Sequence, residues 1–262
     1  LKRPEYIKKC PIREFYPISS AQRRMYLTSN MDNNSTLYNI TGGILLNKMP
    51  DINRIQHALN VLVSKHDILR SYFEIINDGT VVQKVKENFN VDIKILNADT
   101  NDIDKIFKTY QSSFDLSKAP LFNVFLITLP NNSVLLMLDI HHIIFDGTSF
   151  NIFMKDFANL YNEQYLPDLE ISYKDFAVWE EEQILNNCFA ESKNYWLKQF
   201  DKNIPILNMP TTYPRPANKS FKGTTYVTQL SRELTQKVKD FSNKNNITPY
   251  MLMLSAYYIL LY

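Results

Sequence analysis

Two cysteines in 262 residues, Cys10 and Cys188, exclude a disulfide framework, and they lack the paired spacing of a cysteine-ligated metal. A reducing compartment, the cytoplasm, is therefore expected. An excess of one charge is missing too. The 29 Lys plus Arg and 27 Asp plus Glu leave a net charge of +2, which gives no electrostatic case for nucleic acid or an anionic membrane. The apolar stretch from Tyr250 onward is too short to span a bilayer. The opening "LKRPEYIKKCPIREFYP" has no apolar core segment, so no signal peptide is read there. Repeats and low-complexity segments are absent as well. What is present is an apolar content of 45%, a globular value, in a chain long enough for one large domain or two modest lobes.

Periodicity and punctuation divide the chain. Ser19 and Ser20 precede a helix in "AQRRMYLTSNMD", and Pro50-Asp51 opens another with Ile52, Ile55, Leu59, Leu62 and His66 on one face. "YNITGGILLNK" reads as a strand, as does "ILRSYFEII", which "NDGT" turns into "VVQKV" as a hairpin. A helix around 103–111 precedes two apolar runs, Leu121–Leu129 and Val134–His141, which read as an antiparallel pair joined by "PNNS". A helix from Thr148 or Ser149 then carries Phe150, Phe153, Met154, Phe157, Leu160 and Tyr161. Helices alternating with strands predict an α/β layer sandwich. "LPDL" marks a break at 166–169. Beyond it lie helices in "YKDFAVWEEEQIL" and "AESKNYWLKQF", a Pro-rich connection, a strand "GTTYVTQL" and a helix from Ser231 to Asn245. The chain starts without Met and closes on an apolar stretch at 247–262 that reads as a buried helix, so it is read as a fragment of a longer polypeptide.

Four histidines are all the chain has, and two of them stand together in "LDIHHIIFDGTS", residues 138–149. His141 and His142 are consecutive at a strand end, so their side chains point to opposite faces. One imidazole is free to look into a cleft while the other packs behind it. Adjacent histidines make a poor metal site, and no third ligand is evident. Asp146-Gly147 leads into the next helix, where a backbone amide at the N-terminus favours developing negative charge. A strand end with two merely structural histidines stays open on this local pattern alone.

"HHIIFDG" matches HHxxxDG, and its neighbours match in order: "SSAQRRMYL" (19–27), "KHDILRSYF" (65–73) and "YKDFAVW" (173–179), with "FDLSKAPL" and "YPRPANKSFKG" between and beyond. Together they resemble the condensation domains of nonribosomal peptide synthetases and their acyltransferase relatives, over essentially the whole chain. The family's fifth core motif, around a Val-Asn-Thr in the second lobe, has no counterpart.

The resemblance implies a chloramphenicol-acetyltransferase-like α/β two-layer sandwich, its first lobe complete at 1–170. Residues 171–262 then form a helical connection and a truncated start of the second lobe. The implied activity is amide formation between a donor acyl or peptidyl thioester and an acceptor aminoacyl thioester, in antibiotic and other secondary metabolism. Both substrates ride on phosphopantetheine of upstream and downstream peptidyl carrier domains beside an adenylation domain; no cofactor is covalently held by this chain. A subtype joining two L-configured residues fits best, and the fragment is expected to be inactive alone.

In the same resemblance His142 is the active-site residue, as a general base or as a hydrogen-bonding anchor for the amine. Gly147 offers its amide to the oxyanion. Asp146 is an organiser paired with Arg70, and the setting of Arg70 between Leu69 and "YF" agrees with burial. His141 is structural, His57 surface and His66 core edge. Gln22, Arg23, Tyr26, Tyr173, Asp175 and Trp179 are read as packing and capping groups. A coenzyme A-dependent acyltransferase and a non-catalytic domain that recruits carriers or another enzyme remain the rivals.

Overall fold

The computed structural model describes residues 6–32, 35–202, 204, 206, 208–214, 216–217, 223 and 226–262. Two compact units divide the chain between Tyr195 and Trp196. The first holds two sheets. One runs in the order β1 (Tyr16–Pro17), β4 (Val81–Val85), β3 (Ser71–Ile75), all antiparallel. The other runs β2 (Asn39–Leu46), β7 (Val134–His141), β6 (Phe122–Thr128), β5 (Ile93–Asn97), with only the β5–β6 pair parallel. The α/β sandwich is the observed class.

Side-chain parity along β7 explains why all eight of its residues are buried. Leu136, Leu138 and Ile140 face a core shared with Leu59 and Leu62 of α2 (Ile52–Lys65) and with Phe153 and Phe157 of α4 (Gly147–Tyr161). Leu135 and Met137 face the other way, onto Ile106 of α3 (Ile103–Tyr110). A strand covered on both faces reads as a continuous apolar run rather than an alternating one. The helix α2 forms because its apolar residues recur every three or four positions and Asp51 caps it, accepting from the Arg54 amide at 3.2 Å. The hairpin between β3 and β4 turns at Asp78-Gly79, where Gly79 has φ +84° and the Asp78 carboxylate accepts from the Thr80 amide.

Helices α1 (Ser20–Ser29) and α5 (Tyr173–Leu185) complete the first unit. That unit extends past the break expected near 170, because α5 packs Asp175, Ala177 and Val178 inward and its Asp175 accepts from the Cys10 amide. The helix α6 (Ala190–Gln199) straddles the division. In the second unit α7 (Arg232–Lys244) is followed by α8 (Pro249–Leu261), capped by Thr248 with Pro249 at its first position. The apolar helix read at 247–262 forms as α8; none of its residues is buried, and Ile259 and Leu260 are exposed.

Three elements escape the sequence pattern: β1, β5 and a single 3₁₀ turn at Asp67–Arg70. The strand expected in "GTTYVTQL" is corrected. Residues 226–230 are in no strand, and Tyr226 and Val227 are exposed with no strand beside them among the described residues. Thr224 and Thr225 lie outside the described residues. Among the described residues no helix is long and apolar enough to cross a membrane.

Candidate functional site

The strand β7 ends at His141, and the chain turns at once into α4, so the two histidines leave the sheet on opposite faces. His141 continues the Met137 side and is 4% exposed. Its Nδ1 accepts from the Ile143 amide at 3.1 Å, which places the proton on Nε2, 3.2 Å from the Ser29 hydroxyl. Tyr38 and Phe114 flank the ring, with centroids 6.1 and 6.2 Å away. Every polar group of this imidazole is used, and the ring is a structural one.

Burial, helped by the neighbouring His142, holds the His141 ring down to a pKa of about 4. In the unfolded chain the same ring titrates near ~6.5. Between those values the unfolded state binds the extra proton, so the ring's contribution to stability is complete above ~6.5 and is lost as pH falls toward about 4. His141→Asn is expected to unfold with a flatter acid dependence across that window, followed by urea titration at several pH values. An unchanged slope would show that another group governs it.

His142 is different. Its backbone amide donates to the Tyr38 carbonyl at 2.7 Å, which fixes the main chain. Its Nδ1 is buried without a hydrogen-bond partner among the described residues. The ring lines an open pocket of about 180 Å³ together with Gln22, Met25, Ile68, Phe145, Asp146 and Tyr173. With Nδ1 enclosed, Nε2 is the nitrogen left for a molecule in that pocket.

The wall beside it is the N-terminus of α4. Asp146 caps this helix, its Oδ1 accepting from both the amide and the hydroxyl of Ser149 at 2.7 Å. Those two bonds hold the Asp146 carboxyl below the usual carboxylate range. Gly147 is the first helical residue, and a Cβ added there would meet nothing within 4 Å. Its lack of a side chain serves no packing need among the described residues, so its backbone is open to close approach from outside.

The expected pairing of Asp146 with Arg70 is not formed. Arg70 lies in the 3₁₀ turn and bonds Asp67 Oδ1 through Nη2 at 2.5 Å. Its remaining donors go to the carbonyls of Val63, Ser64, Lys86 and Glu87. The physical reason is local. Val63 and Ser64 are at the end of α2, where carbonyls lack helical partners, and a planar guanidinium in the following turn reaches them together with a carboxylate three residues away. No donor is left over for Asp146, which is satisfied by its own helix.

The family model for the condensation domain matches residues 12–262. This chain belongs to that family. It is 38% identical over 247 residues to tyrocidine synthase 2 of Brevibacillus parabrevis, covering 94% of this chain and 7% of that protein. The condensation domain of the monacolin K polyketide synthase MokA superposes with a TM-score of 0.82 at 18% identity, over 96% of this chain and 60% of that one. The X-domain of teicoplanin biosynthesis, solved in complex with OxyB, superposes with 0.84 at 19% identity, over 100% and 59%. The chain thus spans a small part of the length of the synthetases it matches.

In this condensation domain the "SSAQRRMYL" and "YKDFAVW" segments meet at the pocket. Ser19 caps α1, with Gln22 completing the capping box and donating to the Ile143 carbonyl at 3.4 Å. The Tyr173 hydroxyl lies 2.9 Å from Ser19 Oγ. Burial alone would raise the Asp175 carboxyl, but hydrogen bonds from Cys10 and Ser172 outweigh it and hold it low. These residues pack and cap, as read from the sequence. His57 is exposed, and His66 stands 3.2 Å from Asp156 at an apolar pocket that adjoins the His142 one, sharing Ile68, Ile144, Phe145 and Ser149 with it. Two residues of consequence were missed, Asp67 and Asp139. Asp67 lay in view inside "KHDILR", and Asp139 stood as the sole charge in an apolar strand.

Proposed function

We propose that this condensation domain contributes the histidine wall of a site that forms an amide bond between two carrier-bound thioesters. The observation that carries the reading is His142: a ring at the rim of a pocket, its Nδ1 enclosed and its Nε2 unclaimed among the described residues, beside the start of α4. The donor is an acyl or peptidyl thioester and the acceptor an aminoacyl thioester, each on the phosphopantetheine of a peptidyl carrier domain, one upstream and one downstream. An adjacent adenylation domain loads the acceptor, and the assembly works in the cytoplasm.

In this reading His142 Nε2 accepts a hydrogen bond from the attacking amine and aims its lone pair at the thioester carbonyl. An α-amine titrates near ~8, so part of it is already neutral at pH 7, and tethering supplies a large effective concentration. Attack of the amine forms the C–N bond and the tetrahedral intermediate. Its collapse re-forms the carbonyl, breaks the C–S bond and leaves a pantetheine thiol, with the amine proton passing to the departing sulfur. The Gly147 amide, at the positive end of α4, faces the oxyanion. Among the described residues no carboxylate bonds Nδ1, and an imidazolium would meet only the more distant charge of Asp146 in the same pocket, which favours the anchoring role.

The test is a reconstituted assay with donor- and acceptor-loaded carriers and the synthetase that contains this chain. The dipeptide is expected on the acceptor carrier, read by intact-protein mass. Equal use of a coenzyme A thioester and a free amine would turn the reading into a stand-alone acyltransferase. No amide from bound, loaded carriers would leave a recruiting domain.

A further inference from the structure

Asp139 is the one buried carboxylate in β7, wholly inaccessible and with no ion-pair partner among the described residues, the nearby Lys94 acting on it only at a distance. An isolated buried charge is costly, and it persists where hydrogen bonds replace its water. Four such bonds converge here. Asn39 Nδ2 donates to both oxygens at 2.9 and 3.1 Å, Thr41 Oγ1 to Oδ1 at 2.9 Å, and the Ser112 amide to Oδ2 at 3.1 Å. Burial pushes this carboxyl above its ordinary range despite them. Asn39 also donates to the Ser112 carbonyl at 2.8 Å, which closes a ring of bonds through β2, β7 and the 111–115 loop.

Each segment tied to Asp139 carries a group that holds the two histidines. Asn39 stands opposite His141 in the β2–β7 register, and Thr41 opposite Asp139 itself. Tyr38, next to Asn39, gives its carbonyl to the His142 amide and its ring to His141. Phe114, two residues beyond Ser112, meets His141 edge-on. An apolar residue at 139 would satisfy strand packing as Met137 and Leu135 do, yet it would release Asn39, Thr41 and Ser112 together.

We propose that Asp139 is a positioning residue for His142, acting through the Tyr38 carbonyl and the aromatic walls of His141. The inference rests on the reading of His142 as the reacting residue, but its first test does not depend on activity. The chain has four histidines, and His57 and His66 lie on or at the end of α2, which covers the face of β7 opposite to Asp139. Imidazole nitrogen and carbon signals of the full 262-residue chain, labelled at histidine, report all four rings. In Asp139→Asn the His141 and His142 signals are expected to shift or broaden while those of His57 and His66 stay. Thr41→Val, which removes one bond with little change of shape, is expected to move them less in the same direction.

Activity forms the second arm. In the complete synthetase kcat should fall about tenfold or more for Asp139→Asn, with KM for the loaded carriers within about twofold. Unmoved His142 signals in the folded variants overturn the proposal, as does equal movement of all four rings, which is a general loosening. Moved signals with unchanged amide formation would instead remove His142 from the reaction while leaving Asp139 as the peg that holds its ring.

Discussion

Asp67→Ala is expected to lower the unfolding free energy by about 3 kcal/mol, whereas Asp146→Ala costs only about 1. Asp67 accepts from Arg70 and from Lys174 Nζ, and the three side chains are 21, 12 and 17% exposed. Removing the carboxylate leaves two cations facing one another with little solvent, the situation in which a broken pair costs most. The residual exposure puts the figure at the lower end of the range for buried pairs. Lys174 also lies over the Tyr16 ring, so its loss of Asp67 is felt where α5 meets β1. Asp146, by contrast, is an exposed N-cap, and its substitution removes chiefly two short bonds to Ser149, with weaker interactions with the Thr148 amide and His142. Its contribution is present above the ordinary aspartate pKa and is lost as pH falls through its lowered folded value. Urea unfolding of both variants near pH 7 gives the comparison. A loss at Asp146 as large as that at Asp67 would mean that Asp146 is engaged in a buried ion pair after all. Arg70→Lys is expected to resemble a deletion, because an ammonium cannot reach four carbonyls and a carboxylate at once.

The correction at Arg70 shows where sequence reasoning reaches and where it stops. The strand β7, the helix α4 and the parity that separates His141 from His142 were legible because they follow from local periodicity. So were the caps at Ser19 and Asp51 and the Asp-Gly turn. The partner of Arg70 was not, since a guanidinium has several reachable acceptors and only the 3₁₀ turn at Asp67–Arg70 selects among them. That turn carries no hydrophobic pattern of its own. The strand β5 escaped for a related reason: its residues "IKILN" are half-exposed at a sheet edge, where alternation is weak. Asp139 was readable as an oddity, but its meaning depends on Asn39, Thr41 and Ser112, which lie 27 to 100 positions away. Long-range polar networks leave no period in a sequence.

The same parity sets the second large effect. His142→Ala should fold as the parent does, because the ring contributes no side-chain hydrogen bond among the described residues and its amide bond to Tyr38 survives. Dipeptide formation on loaded carriers is expected to fall by about 10²–10⁴-fold, the span that a positioned acid–base or anchoring group supplies. His142→Gln separates the two roles. A glutamine oxygen near the Nε2 position accepts a hydrogen bond from the amine but takes no proton. Under the anchoring role Gln should recover about tenfold over Ala, which corresponds to a single hydrogen bond of roughly 1.4 kcal/mol. Under general-base catalysis Ala and Gln should be equally slow. The enclosed, unpartnered Nδ1 favours the first outcome: a base that must become an imidazolium needs an acceptor on its far nitrogen, and His142 has none among the described residues. Single-turnover rates with both carriers preloaded isolate this step from loading. A folded His142→Ala domain that joins the two substrates at the parent rate would take the reaction away from this histidine.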